Sequence, residues 1–207
     1  MSYTLLVDMD EVLCDFISGA CKANEVSRQE LEARRIPGEW AIHNLVNELR
    51  RERLCTGFDW EIQAPLDQFW SPITEQGEDF WVNLEPLPWA NTLITFIGDL
   101  CYCGLLKHKN WHVVTAPSKC PSSYSGKVKW LKNFFGSEFD RFCITPHKHI
   151  FAKPDAILID DREENITAFE KNGGIGVLFP SRGNLLHLCA DNPIPHVLGQ
   201  LQQILKG

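Results

Sequence analysis

The sequence has no apolar run approaching the roughly 20 residues that a membrane-spanning helix needs, so a helical membrane protein is not expected. It also lacks a basic start followed by an apolar stretch. Acidic residues interrupt the opening MSYTLLVDMDEV at once, so no secretory signal is expected. Positive charge is in deficit, with a formal net charge of −7 over 207 residues. That disfavours a long electropositive face for duplex nucleic acid but leaves room for a local pocket taking one phosphate. Paired cysteine motifs are missing. None of the eight cysteines forms a CxxC pair, and the closest two, Cys101 and Cys103, fall in an apolar, helix-like stretch. Reduced core thiols in a cytoplasmic protein are the expectation. Internal repeats and low-complexity segments are absent too. The apolar content of 44% is ordinary for a globular chain, and the length suits one compact core with a smaller inserted domain.

Five short apolar runs read as strands: Tyr3 to Val7, Trp111 to Thr115, Phe142 to Ile144, Ala156 to Ile159 and Ile175 to Leu178. Helical spacing of apolar residues covers Asn91 to Cys103, Lys127 to Phe135 and Glu163 to Asn172, the last stopping at Gly173. Strands alternating with helices predict an α/β fold, a doubly wound parallel sheet. Residues 17 to 87 break the alternation. Ser27 to Glu30 forms a capping box, Ala41 to Leu54 reads as a helix, and a loop-rich stretch with Phe58, Trp60, Phe69, Trp70, Phe80 and Trp81 follows. The expected organisation is a core of residues 1–16 and 88–207, with a small, mainly helical cap of residues 17–87 inserted after the first strand.

Ligands bind such sheets beyond the carboxyl ends of the strands. Three of the five runs end there in Asp8, in Thr115 and in the pair Asp160 and Asp161. Asp8 and Asp10, two residues apart, can divide labour between attack on phosphorus and proton transfer. Alone, this pair is also what an acidic turn looks like. Thr115 and the backbone from Ala116 to Ser118 can hold phosphate oxygens. Lys153 can offset phosphoryl charge, and two adjacent aspartates at a buried strand end suit a hard cation with oxygen ligands. His147 and His149, flanking Lys148, read as a solvated loop. Gly173, Gly174 and Gly176 follow a helix and precede a strand, the wrong order for a phosphate loop.

Strand-DxD, strand-Thr, Lys and strand-Asp-Asp, in that order, resemble the four motifs of the haloacid dehalogenase superfamily. The resemblance covers residues 1–16 and about 88–180. It implies a Rossmann-like core, an aspartyl-phosphate on Asp8 and Asp10 as general acid and base. It also implies phosphoryl contacts from Thr115 and Lys153. Mg2+ is implied on Asp8, on the backbone carbonyl of Asp10 and on Asp161, with Asp160 binding through water.

DMDEVLCDF, FWVNLEP and AILIDD are more closely similar to the 5'(3')-deoxyribonucleotidases. That likeness implies a nucleoside pocket at Phe16, Phe80, Trp81 and Val82, and phosphate contacts from Lys127 and Ala116. Two residues depart from the pattern. Glu11 stands where a glycine is usual, and Ala116 stands where a second hydroxyl is usual. The implied activity is Mg2+-dependent hydrolysis of a nucleoside monophosphate. A sugar phosphate, a polynucleotide end, and a catalytically silent nucleotide-binding regulator are the alternatives. The expected partner is a small phosphomonoester, with no duplex nucleic acid and no membrane; a homodimer stays open.

Overall fold

The computed structural model of the protein describes residues 3–54 and 67–206, so Phe58 and Trp60 lie outside the described residues. Strands β1 (Tyr3–Val7), β2 (Leu106–Thr115), β3 (Phe142–Ile144), β4 (Ala156–Asp160) and β5 (Ile175–Leu178) form one all-parallel sheet in the order β3-β2-β1-β4-β5. Alternate residues feed two cores, as the period of two requires. Leu5, Val7, Val113, Ile157 and Ile159 enter one core, and Leu6, Val114, Ala156 and Leu158 enter the other. Both faces are therefore covered, which is why the central strands read as unbroken apolar runs. β2 starts at Leu106 rather than Trp111. The polar stretch Lys107 to Asn110 hid its beginning, and its pairing with β1 shifts register between Tyr3 and Leu5.

Helices α6 (Ala90–Tyr102), α7 (Ser122–Phe135) and α8 (Glu163–Lys171) lie where apolar spacing predicts them, although α7 begins at Ser122 rather than Lys127. Pro121 precedes it with φ −56°, already set for helix entry. A final helix, α9 (Ile194–Lys206), was not anticipated. It buries Ile194, Val197 and Leu201, a helical stripe present in the sequence. No helix among the described residues is long and apolar enough to cross a membrane.

Between β1 and α6 lie α1 (Phe16–Ala23), α2 (Arg28–Arg34), α3 (His43–Leu54), α4 (Asp67–Gln76) and α5 (Glu78–Val82). Ser27 caps α2, accepting from the Glu30 amide at 3.4 Å. α1 was also not anticipated, and the end of the stretch read as loop-rich is helical, which corrects that reading. Pro72 sits inside α4 and cannot donate to the Gln68 carbonyl one turn earlier. Arg50 from α3 supplies the missing donor, reaching the Gln68 oxygen at 3.1 Å. Buried Phe69 and Ile73, one turn apart, then hold the helix by packing. The two ends of this segment are stitched together. The Asp15 amide donates to the Glu85 carbonyl at 2.9 Å, and the Leu87 amide donates to the Leu13 carbonyl at 2.9 Å.

Candidate active site

Register builds the centre of the site. Val7 pairs with Ile159, and the Asp8 amide donates to the Ile159 carbonyl at 2.9 Å, so Asp8 stands beside Asp160 at the carboxyl edge. The chain then turns back tightly, the Met9 carbonyl accepting from the amides of Leu13 at 2.8 Å and Cys14 at 3.0 Å. Glu11 takes a left-handed conformation in this turn, with φ +59°. An L side chain there costs on the order of 1–2 kcal/mol. The Glu11 carboxylate folds inward and accepts from the Ile17 amide at the start of α1 at 2.8 Å, an N-terminal contact no glycine makes. Burial first, then Asp15, pushes its pKa up to about 7.

Asp8, Asp160 and Asp161 are all buried, and each offers an oxygen within 4.8 Å of the others. Lys148 lies among them, its Nζ at 2.7 Å from Asp8 Oδ1 and 2.5 Å from Asp160 Oδ2. Burial pushes this ammonium's pKa down, but Asp8 and Asp160 outweigh burial and raise it. Asp8 is pushed up to about 7 by burial, against the pull of Lys148 and with further repulsion from Asp160 and Asp10. Asp161 is also raised, by burial and then by Asp160 and Asp8.

The two adjacent aspartates differ in saturation. Asp160 accepts from Lys148 Nζ, from the Arg162 amide at 2.9 Å, and from Asn165 Nδ2 at 3.0 Å to each oxygen. Asp161 Oδ2 accepts from Trp40 Nε1 at 2.9 Å, while its buried Oδ1 has no partner.

The lysine named from the sequence, Lys153, lies away from this edge. Lys153 is half exposed and pairs with Asp155 at 3.3 Å. It precedes β4, and a five-residue strand separates its two edges by roughly 13 Å at ~3.3 Å per residue. Lys148 follows the carboxyl end of β3 and so remains at the active edge. The stretch read as a solvated loop is a 3-10 turn, Lys148–Phe151, that turns Lys148 inward and leaves His147 outside.

On the other flank of β1, Thr115 ends β2 and is fully buried. Lys127 from α7, also fully buried, contacts Asp10 Oδ2, Thr115 Oγ1 at 2.8 Å and the Ala116 carbonyl at 2.7 Å. Cys14 Sγ donates to Asp10 Oδ1 at 3.6 Å. The Ser118 amide is already taken, donating to Ser123 Oγ at 3.1 Å. The structure thus brings Asp8, Asp10, Thr115, Ala116, Lys127, Asp160 and Asp161 to one edge.

The aromatic residues form a roof above Lys127. Phe16 and Trp81 stack at 5.8 Å with 18° between planes, and Phe80 meets Trp81 edge-on at 5.0 Å. The Lys127 ammonium lies 5.1 Å from the Trp81 ring centroid. Gly126 permits this approach, because a Cβ there would lie 2.5 Å from Trp81 Cβ. All three rings are buried, and half-buried Val82 closes α5.

Sequence reasoning missed Lys148, Trp40, Asn165 and Asn184. The parallel topology was signal enough for Lys148, since it places residues just after a strand at the active edge. Asn165 had a signal too, four residues after Asp161 and in the first turn of α8. Trp40 had none.

The family model described as "5' nucleotidase, deoxy (Pyrimidine), cytosolic type C protein" matches residues 2–191. A putative β-phosphoglucomutase from Bacteroides vulgatus is similar in fold, with TM-score 0.52 and 18% identity, over 100% of this chain and 91% of that one. A haloacid dehalogenase-like hydrolase from Streptococcus pneumoniae is similar with TM-score 0.51 and 16% identity, over 93% of this chain and 91% of that one.

Proposed function

From the premise that this chain belongs to the 5' nucleotidase, deoxy (pyrimidine), cytosolic type C family of haloacid dehalogenase-like phosphatases, we propose that it hydrolyses deoxyribonucleoside monophosphates through an aspartyl-phosphate on Asp8. One observation carries the mechanism. Three buried carboxylates face a single lysine, and one of their oxygens, Asp161 Oδ1, is buried and unpartnered. Three carboxylates against one ammonium leave a charge imbalance that raises Asp8 and Asp161 toward protonation and that a divalent cation would relieve instead, and an all-oxygen donor set suits Mg2+. Asp8, Asp161 and the Asp10 carbonyl would hold it. Asp160, saturated by four hydrogen bonds, would orient rather than bind. When bound, Mg2+ supplies charge neutralisation between the phosphate and the attacking carboxylate.

Asp8 attacks phosphorus and forms the P–O bond as the ester P–O bond breaks. Lys148 offsets the charge that builds on the phosphoryl oxygens. Thr115, the Ala116 backbone and Lys127 orient the phosphate. Asp10 gives a proton to the departing sugar oxygen and then takes one from the water that hydrolyses the aspartyl-phosphate. Residues 17–87 act as a cap that excludes water, and Phe16, Phe80, Trp81 and Val82 face the nucleoside. The rings are packed on one another, so entry of a base requires the cap to open. The same chemistry on a sugar phosphate remains the rival substrate.

The test is phosphate release from a panel of 5'- and 3'-monophosphates, deoxy against ribo, with Mg2+ and with chelator. Mg2+-dependent turnover that favours deoxyribonucleotides is expected. Metal-independent turnover, or a preference for sugar phosphates, overturns the reading.

A further inference from the structure

Trp40 lies between α2 and α3, far in sequence from every motif of the site, yet its indole N–H donates to Asp161 Oδ2 at 2.9 Å. That bond leaves Oδ1 as the free oxygen of the carboxylate, buried and without a partner. The donor is neutral, so it orients the carboxylate without competing electrostatically for a cation, as a lysine or arginine would. The ring itself is held. The Arg162 guanidinium stacks over it at 4.6 Å from the centroid.

The loop that carries Trp40 is docked on the loop that supports Asp161 from behind. The Gly38 amide donates to the Arg182 carbonyl at 3.1 Å. Gly183 makes room for the contact, since a Cβ there would lie 2.3 Å from Arg35 Nη2 and 3.1 Å from Trp40 Cα. Next to it, Asn184 Nδ2 donates to the backbone carbonyls of Asp161 at 2.7 Å and Phe179 at 2.8 Å. Residues 182–184 therefore touch both the docked loop and the backbone of the metal carboxylate.

We propose that Trp40 is a positioning residue for the cation site: it orients Asp161 Oδ1 toward Mg2+ and couples metal occupancy to docking of residues 36–40 on the core. The inference rests on the reading above that Asp161 ligates Mg2+. Linkage makes the coupling reciprocal: a docked loop tightens Mg2+, and Mg2+ holds the loop down. A residue that merely packs would not behave this way. Trp40→Phe keeps an aromatic ring beneath Arg162 and removes the donor together with the pyrrole portion of the indole.

Calorimetric titration of Mg2+ into wild-type protein, Trp40→Phe and Asp161→Asn, with a melting curve for each, tests this without reference to turnover. Loss of an outer partner of a metal ligand weakens binding about 10- to 100-fold, so Trp40→Phe should raise the Mg2+ Kd by about tenfold at nearly unchanged Tm. Gly183→Ala, which pushes the same loop away, should act in the same direction. In the wild-type protein, Mg2+ should slow hydrogen exchange of residues 36–40, a readout that needs no variant. An unchanged Kd in Trp40→Phe, or unchanged exchange with Mg2+ bound, overturns the role of Trp40 and leaves the metal site standing. Wild-type protein that binds no Mg2+, or Asp161→Asn that binds it as tightly as wild type, overturns the metal reading and this inference together.

Discussion

On the β4 side of β1, Lys148 stands between Asp8 and Asp160, at the ends of two adjacent strands. On the β2 side, Lys127 stands against Asp10 and Thr115 beneath the stacked rings of Phe16 and Trp81. Both ammonium groups are buried and both touch one carboxylate of the first motif. They differ in what surrounds them. The carboxylates around Lys148 stand at the ends of β1 and β4, which are paired in the central sheet. The roof over Lys127 comes from α1 and α5, two of the helices between β1 and α6, with α5 resting on α7 where Gly126 admits it. On the proposed reading, the first flank meets the phosphoryl group, which is the same on every substrate, and the second meets whatever that group is attached to.

The severest way to test this division is to remove the group both flanks serve. Asp8→Asn should lose turnover by about 10³-fold or more, with an intact melting transition. Near-normal turnover in the purified variant removes the covalent mechanism and the shared centre with it.

Next comes the lysine of the β4 flank. Lys148→Met should cost about 10²- to 10³-fold in kcat for every phosphomonoester alike, as expected for a lost charge contact to the transition state. Lys153→Ala, on the opposite edge of the sheet, should stay within error of wild type. Equal effects from the two variants, measured side by side, would return the role to Lys153.

Smaller, and selective, is the effect expected on the β2 flank. Stacking on a base is worth about 1–3 kcal/mol, so Trp81→Ala should cut kcat/KM for nucleotides roughly ten- to a hundredfold. Hydrolysis of p-nitrophenyl phosphate should suffer much less. Because Trp81 is buried, a melting curve belongs with both assays. Parallel losses on the two substrates, together with a lowered Tm, would make the ring a packing element and merge the two flanks into one.

The mildest effect concerns Glu11, in the turn between the flanks. Its pKa is raised from 4.5 to about 7, chiefly by burial. The folded protein therefore holds this proton more tightly than the unfolded chain does. The stability linked to it is present below pH 4.5 and lost as pH rises toward 7. Glu11→Gln keeps an oxygen for the Ile17 amide and removes the charge. In Mg2+-free buffer it should leave Tm unchanged near pH 4.5 and raise it by a few degrees at pH 8. A Tm difference that does not vary with pH would mean the buried charge is compensated.

Much of the site was legible in the chain. An apolar run that stops at a carboxylate is a local pattern, and parallel strands collect such stops at one edge. Thus Asp8, Thr115, Asp160 and Asp161 could be placed together from short segments alone. Lys127 and the aromatics could be named by resemblance, but their burial against one another could not be read from it. α4 shows why. Its Pro72 argues against a helix, and only Arg50, reaching across from α3 to the Gln68 carbonyl, answers that argument.

The sequence by itself determined the strands, their parallel pairing and the acidic edge, because these follow from apolar periodicity and from the short reach of a strand. The tertiary structure separates Lys148, against Asp8, from Lys153, against Asp155. Both precede β4, and what separates them is the edge of the sheet on which each lies. It also decided the inward fold of Glu11, which exchanges backbone strain for a bond to the Ile17 amide. And it brought Trp40 to Asp161 across a separation of 121 residues. A hydrogen bond between such distant positions leaves no periodicity or spacing in the chain. It exists only because the docked loop and the strand end occupy the same place in space.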